Sequence, residues 1–259
     1  MSELSIIKPE ARRMGFFTDT TVCIGCKACE VACKQWNDLP SDGGEFRKGG
    51  SYDNTRELGA NTWRHVRFVE LAGGTDWSFM SDVCKHCAHA GCMDACPTGA
   101  LIRTEFGTVI VQPDVCNGCG YCIPACPFGV IDRDHVDGRA AKCTLCYDRL
   151  EDGLEPACAK ACPTDSIQFG AYEDLVDVAE RRVATLQERG VEDAYVYGLD
   201  QAGGLGAMFL LTEPPERYGL PAGADSPIQE NVVPATLAAV GAGLLAAAGV
   251  AAAFLRARR

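Results

Sequence analysis

Sixteen cysteines occur in four groups of four, and no cysteine lies outside them. The groups are Cys23, Cys26, Cys29 and Cys33; Cys84, Cys87, Cys92 and Cys96; Cys116, Cys119, Cys122 and Cys126; and Cys143, Cys146, Cys158 and Cys162. A chain with its thiols crowded into such short arcs must build its core around whatever the sulfurs bind. Each cubane iron-sulfur cluster takes four thiolates, so the count fits four clusters without remainder and points to electron transfer.

The first and third groups read Cys-x-x-Cys-x-x-Cys-x-x-x-Cys, as CIGCKACEVAC and CNGCGYCIPAC. Three thiolates this close can wrap one face of a cube, while the fourth is carried by the following helix toward a second cube. Clusters are therefore expected in pairs. The second group, CKHCAHAGCMDAC, and the fourth, CTLCYDRLEDGLEPACAKAC, lengthen the middle gap but keep both ends of the motif. Pro97, Pro127 and Pro163 follow the last cysteine in three groups and turn the chain away; Lys34 stands there in the first. Gly25, Ala28, Gly118 and Gly120 leave room for backbone to approach the inorganic core.

Other uses of cysteine fit less well. Tetrahedral zinc takes four thiolates from two separated knuckles, and three ligands in one short arc crowd it. A disulfide scaffold suits small secreted domains, whereas this chain has 259 residues and opens without a secretory signal. No cysteine is left over as a nucleophile. His86 and His89 lie inside the second group, where four thiolates already suffice, so both are expected beside the ligands or facing solvent.

The net charge of −11, from 35 acids against 24 bases, argues against a nucleic-acid partner. Lys27, Lys34, Lys85, Lys142 and Lys160 cluster with the cysteines. They either raise the potential of anionic clusters or serve as solubilising surface. Arg12 and Arg13 superficially resemble a twin-arginine export signal, but Thr18 to Thr21 follow instead of an apolar run. The segment reads as the start of a first strand, without a cleavable signal of its own.

The other terminus is different in kind. Residues 235–255 contain no charge and only Thr236 is polar. As a helix these would reach across the hydrocarbon of a bilayer, roughly 30 Å. Arg256, Arg258 and Arg259 follow at once, whereas Asp225 and Glu230 flank the other end. Positive-inside bias then puts the C-terminus in the cytoplasm and the cysteine domain on the extracytoplasmic, periplasmic side. The competing reading is a soluble alanine-rich helix. Ala235, Ala239, Gly243, Ala247 and Ala251 form a small-residue ladder suited to another membrane helix.

Between the motifs, GALIRTEFGTVIVQPDV reads as a hairpin turning at Glu105 to Gly107, and Ser166 to Phe169 as a short strand. Asn37 to Asn61 is expected as a surface loop and Thr62 to Leu71 as an added strand, an insertion of the kind that contacts partners. Apolar positions from Tyr172 to Leu186 repeat with helical spacing, and Gly190 can cap that helix. Gly203, Gly204 and Gly206 lack the context of a dinucleotide fingerprint. Pro214, Pro215, Pro221, Pro227 and Pro234 suggest an extended linker. No residue presents itself for substrate chemistry, so the chain is expected to be non-catalytic.

CIGCKACEVACKQWND, the Tyr52-Asp53-Asn54 turn, CNGCGYCIPACPFGV and KCTLCYDRLEDGLEPACAKACPTDSIQFG together resemble the iron-sulfur (beta) subunit of respiratory formate dehydrogenase, within the four-cluster subunits of molybdopterin oxidoreductases. The resemblance covers about residues 15 to 200. It implies that Cys23, Cys26 and Cys29 bind one [4Fe-4S] cluster with Cys162, and that Cys143, Cys146 and Cys158 bind the next with Cys33. It likewise implies that Cys84, Cys87 and Cys92 pair with Cys126, and Cys116, Cys119 and Cys122 with Cys96. The implied partners are a catalytic (alpha) subunit holding a molybdenum or tungsten bis-pterin cofactor and a membrane cytochrome b (gamma) subunit that reduces quinone. In exported relatives the catalytic partner carries the twin-arginine signal. The same relay could serve polysulfide, dimethyl sulfoxide or hydrogen instead of formate.

The expected fold is α+β: two ferredoxin-like dicluster modules, one inserted in the other, and a C-terminal single transmembrane helix. Residues 14–80 and 138–200 would form the outer module, 81–137 the inserted one, 201–232 a linker and 233–256 the membrane helix. Metal analysis separates clusters from zinc. Four [4Fe-4S] clusters require about sixteen iron and sixteen acid-labile sulfide per chain, with a brown colour that bleaches on reduction; four zinc and no colour would overturn the cluster reading.

Overall fold

A computed structural model describes residues 12–41, 57–71 and 76–258. The Tyr52-Asp53-Asn54 turn, residues 42–56 of the expected loop, and Arg259 lie outside the described residues. In chain order the elements are β1 (Met14–Asp19), α1 (Ala28–Trp36), β2 (Arg64–Glu70), β3 (Trp77–Val83), α2 (Gly91–Asp94), β4 (Leu101–Arg103), β5 (Val109–Val111), β6 (Asp132–Arg133), β7 (Ala140–Ala141), α3 (Tyr147–Glu151), α4 (Ala157–Lys160), β8 (Ile167–Ala171), α5 (Tyr172–Glu188), β9 (Tyr195–Tyr197), β10 (Ala207–Leu211) and α6 (Pro227–Ala257).

The largest sheet has the order β8-β1-β10-β9, with β1 and β10 parallel and the outer pairs antiparallel. Successive strand residues face opposite sides, and here both sides are buried. Phe17, Met208 and Leu210 pack beneath α5 against Leu175, Ala179 and Leu186. Phe16, Ala207, Phe209 and Leu211 face the other way, into a core that includes Cys29, Cys84, Cys143 and Cys158. The sheet is thus the floor of the cysteine sites, and α5 is its outer cover.

Several expectations hold. Arg13 donates from Nη2 to the Gly204 carbonyl at 2.9 Å and stacks over Tyr172, leading directly into β1. The hairpin between the second and third groups is β4 with β5. Gly190, at a φ of 89°, closes α5 by donating to the Gln187 carbonyl at 3.0 Å.

One expectation fails. Residues 201–232 are not a linker throughout, because β10 is the fully buried neighbour of β1 and the Ala202 and Gly204 carbonyls accept from His89 N–H and Ala88 N–H. The prolines misled, since they flank β10 but leave its five apolar residues free to pair. The strand expected after Asn61 is β2, which pairs with β3 and buries Arg64, His65 and Val66.

α6 also begins earlier than expected. Ser226 caps it, Pro227 occupies the first turn where its missing N–H is harmless, and Pro234 lies inside the helix. None of its residues is buried, and it is long and apolar enough to cross a membrane. At its base Ser226 Oγ donates to Asp94 Oδ2 at 2.7 Å and Gln229 Nε2 to the same oxygen at 3.1 Å, fastening α6 to α2.

Phe209 tests the sheet as a floor. Truncation in Phe209→Ala should cost about 3–5 kcal/mol, read as a lowered denaturation midpoint of the metal-loaded protein, whereas Val136→Ala on the exposed surface should leave the midpoint unchanged.

Candidate iron-sulfur sites

Each cysteine group opens with the same local turn. The residue before the second cysteine is left-handed in all four: Gly25 (φ 67°), His86 (φ 43°), Gly118 (φ 71°) and Leu145 (φ 59°). Such a turn aims successive backbone N–H groups into one concavity, a cradle for anions including iron-sulfur centres. Leu145 N–H donates to Cys143 Sγ at 3.3 Å within one of these turns. The closing residues leave on helical turns: α1 holds Cys29 and Cys33, while Cys96 and Cys162 follow α2 and α4 directly. This carries the fourth cysteine away from the first three.

The sulfurs consequently gather across groups. One cavity is lined by Cys23, Cys26, Cys29 and Cys162, and another by Cys84, Cys87, Cys92 and Cys126. The remaining eight thiols act on one another across groups in two groupings. Burial pushes the Cys33 thiol up, and the neighbouring charges of Cys143, Cys158 and Cys146 add to it. Burial also pushes Cys122 up to about 11, with Cys116, Cys119 and Cys96 adding. The sets form a row. Arg64 and Ser81 join Cys158 of the second to Cys29 of the first. Cys84 acts on Cys143, and Cys122 on Cys92.

Burial raises Cys29 to about 11 and Cys92 to about 12. Empty, these thiols would hold their protons at neutral pH, so a metal must displace them. Compensating cations are in place. Lys85 and Lys142 are 1% and 2% exposed. Lys85 pairs with Asp82 and faces the Phe128 ring, and Lys142 donates to the Val109 and Cys143 carbonyls. Lys160, by contrast, is exposed.

The donor set fits a cluster at each position. Thr98 and Thr164 hydroxyls approach Cys96 and Cys162 sulfurs at 3.6 and 3.8 Å, from a Cys-Pro-Thr run that occurs twice in the sequence. His86 is buried rather than facing solvent. Its Nδ1 accepts from Val109 N–H at 3.0 Å, so the proton sits on Nε2, a buried atom without a partner among the described residues, beside the Cys84 cavity. His89 is half-exposed near Asp225. Among the described residues no three His, Cys, Asp or Glu side chains converge tightly enough to hold a single ion. Sulfurs held apart around a space suit a cube with one thiolate per iron rather than tetrahedral zinc.

Comparison with known proteins agrees. Two families, each described as a 4Fe-4S dicluster domain, match residues 22–100 and 75–172. The iron-sulfur subunit of the nitrate-inducible formate dehydrogenase of Escherichia coli is 46% identical over 209 residues, covering 78% of this chain and 70% of that protein. The chain belongs to the formate dehydrogenase iron-sulfur subunits. The formate dehydrogenase-O iron-sulfur subunit of the same organism is 44% identical, over 78% of this chain and 69% of its own length. A subunit of the Escherichia coli anaerobic dimethyl sulfoxide reductase is 36% identical over 62% of this chain and 75% of its own length. As such an iron-sulfur subunit, the protein is a non-catalytic electron carrier of a molybdopterin oxidoreductase complex, with four [4Fe-4S] clusters and a catalytic partner subunit.

Sequence reasoning missed Arg64, Ser81 and Asp94, which no motif marks. The left-handed turns supply a test. In Gly118→Ala the new Cβ would stand 2.6 Å from the Gly138 carbonyl oxygen. The holoprotein should lose about a quarter of its iron, one cluster of four. Gly129→Ala, at a φ of 61° with open space around it, should cost only about 1–2 kcal/mol and keep its iron.

Proposed function

We propose that this subunit relays electrons from a formate-oxidising catalytic subunit, bearing a molybdenum or tungsten bis-pterin, to a membrane cytochrome b that reduces quinone. The observation that carries formate as the substrate is the ranking of relatives. The formate dehydrogenase subunit of Escherichia coli shares 46% identity over 78% of the chain, against 36% over 62% for the dimethyl sulfoxide reductase subunit.

In this reading the sixteen cysteines hold the clusters in crossed sets. Cys23, Cys26 and Cys29 act with Cys162, and Cys33 acts with Cys143, Cys146 and Cys158. Cys84, Cys87 and Cys92 act with Cys126, and Cys96 acts with Cys116, Cys119 and Cys122. The two lined cavities and the mutual charge effects of the other eight support this assignment. Each bound cluster supplies one-electron chemistry; the protein residues fix spacing, burial and hydrogen bonds to sulfur.

Direction follows from the ends of the row. Cys26 is exposed at one end, open to a donor. At the other, Cys96 follows α2, and α2 is tied through Asp94 to the base of α6. α6 spans the bilayer, with Arg256 and Arg258 on the cytoplasmic side and the cysteine domain outside.

The intact complex should reduce an artificial dye with formate; activity with dimethyl sulfoxide or polysulfide and none with formate would overturn the substrate. Cys162→Ser should disturb the cluster of Cys23, Cys26 and Cys29 and spare that of Cys158. Protease added to the cytoplasmic face of sealed vesicles should leave the cysteine domain intact, and its digestion would reverse the topology.

A further inference from the structure

Arg64 is among the largest fully buried side chains of the described residues, 1% exposed, and nothing in the motifs accounts for it. It enters from β2 into the gap between two cysteine sets. Its Nη2 donates to Cys158 Sγ at 3.1 Å. Its Nη1 donates to the Ser81 carbonyl at 3.1 Å and to Ser81 Oγ at 3.3 Å. Ser81 Oγ stands 3.2 Å from Cys29 Sγ. Because the hydroxyl oxygen already accepts from Arg64, its own proton is free to donate to Cys29. The result is one continuous path of donors, Cys29 to Ser81 to Arg64 to Cys158, set by the pairing of β2 with β3.

The guanidinium has no carboxylate partner in these contacts. A guanidinium keeps its charge in proteins, so a permanent cation lies between the sulfurs of Cys158 and Cys29. The Phe16 ring, 4.6 Å from the guanidinium carbon, closes another side. Nε is buried and has no partner among the described residues. A buried cation in this position is costly unless anions surround it, and thiolate-ligated clusters are those anions.

We propose that Arg64, acting directly on Cys158 and through Ser81 on Cys29, is a shared tuning residue that raises the reduction potentials of two adjacent clusters, more strongly for the one held by Cys158. This rests on the ligand sets of the proposed function. A fixed positive charge and donated hydrogen bonds both stabilise the reduced, more negative form. One residue between two sites keeps their potentials moving together, so an electron crosses that gap without a large uphill step.

The test is potentiometric titration of the full complex, followed by electron paramagnetic resonance, in unsubstituted protein and in Arg64→Gln, Arg64→Lys and Ser81→Ala. Arg64→Gln should lower two of the four midpoints, the larger shift reaching about tenfold in the reduction equilibrium, or about 59 mV for one electron. Ser81→Ala should lower one midpoint, by less than this, and Arg64→Lys should lie between unsubstituted protein and Arg64→Gln. Four unmoved midpoints in a fully loaded Ser81→Ala or Arg64→Gln protein would overturn the proposal. So would a Ser81→Ala protein that loses iron while its remaining midpoints stay fixed, since that marks a structural role only. If Arg64→Gln fails to load, Ser81→Ala decides alone. Fewer than four clusters in the unsubstituted complex would instead overturn the ligand sets beneath the proposal.

Discussion

Anionic sulfur in the interior is the constraint on which the rest of this structure depends. A buried charge without a partner costs several kcal/mol, and this chain, with a net charge of −11, has no general surplus of cations to spread around. It concentrates them instead. Arg64, Lys85 and Lys142 are each 2% exposed or less, and each lies where two sets of cysteines meet or where a cavity closes. The acids are mostly left at the surface; where one is buried, as Asp82 is, Lys85 and Arg67 occupy it. Lys142 bonds only carbonyls in these contacts, and Arg64 donates to sulfur, a carbonyl and a hydroxyl.

The crossed cysteines have a mechanical consequence as well. Cys23 and Cys162 line one cavity although 139 positions separate their numbers in the sequence. A cluster between them joins β1, which precedes Cys23, to β8, which follows Cys162, and those two strands are already hydrogen-bonded neighbours. Ligation and strand pairing therefore close the same long loop, and each makes the other less costly in chain entropy. The α1 and α4 helices, which hold Cys33 and Cys158, pack on each other for the same reason. Metal binding and folding are in this sense one process.

The parts legible in the sequence were those governed by short-range periodicity. Cysteine spacing, the β4–β5 hairpin, α5 and its glycine stop all rest on contacts within a few turns of chain, and each has a residue pattern of its own. β10 does not. Its five residues AMFLL pair in parallel with β1, nearly two hundred positions earlier, and a run that short between glycines and prolines carries no signal of its partner. Arg64 was illegible for a different reason. An arginine in an alternating strand normally faces water, and only the strand register that sets Val66 opposite Ser81 turns it inward. His86 was legible as a residue beside the ligands, but its burial and tautomer depend on Val109, on another hairpin. The base of α6 was missed because proline in the first turn of a helix and proline in a linker look alike without the Ser226 cap.

The four left-handed turns show how repeated units diverge according to where they sit. In the first and third groups the position is glycine, half-exposed, and a Cβ there would meet Phe79 at 2.8 Å or the Gly138 carbonyl at 2.6 Å. In the second and fourth groups it is His86 and Leu145, 2% and 1% exposed. A non-glycine residue in this conformation costs about 1–2 kcal/mol, while burying a leucine contributes about 1.5–3 kcal/mol. The strained choice therefore breaks even or better only where the turn is enclosed. Enclosure is found in the middle of the row, where the sets containing Cys143 and Cys84 adjoin; the turns at Gly25 and Gly118 belong to its two ends. Side chains thus fill the turn where water must be kept from the centre of the path, and glycine remains where a neighbouring ring or carbonyl comes too close for anything larger.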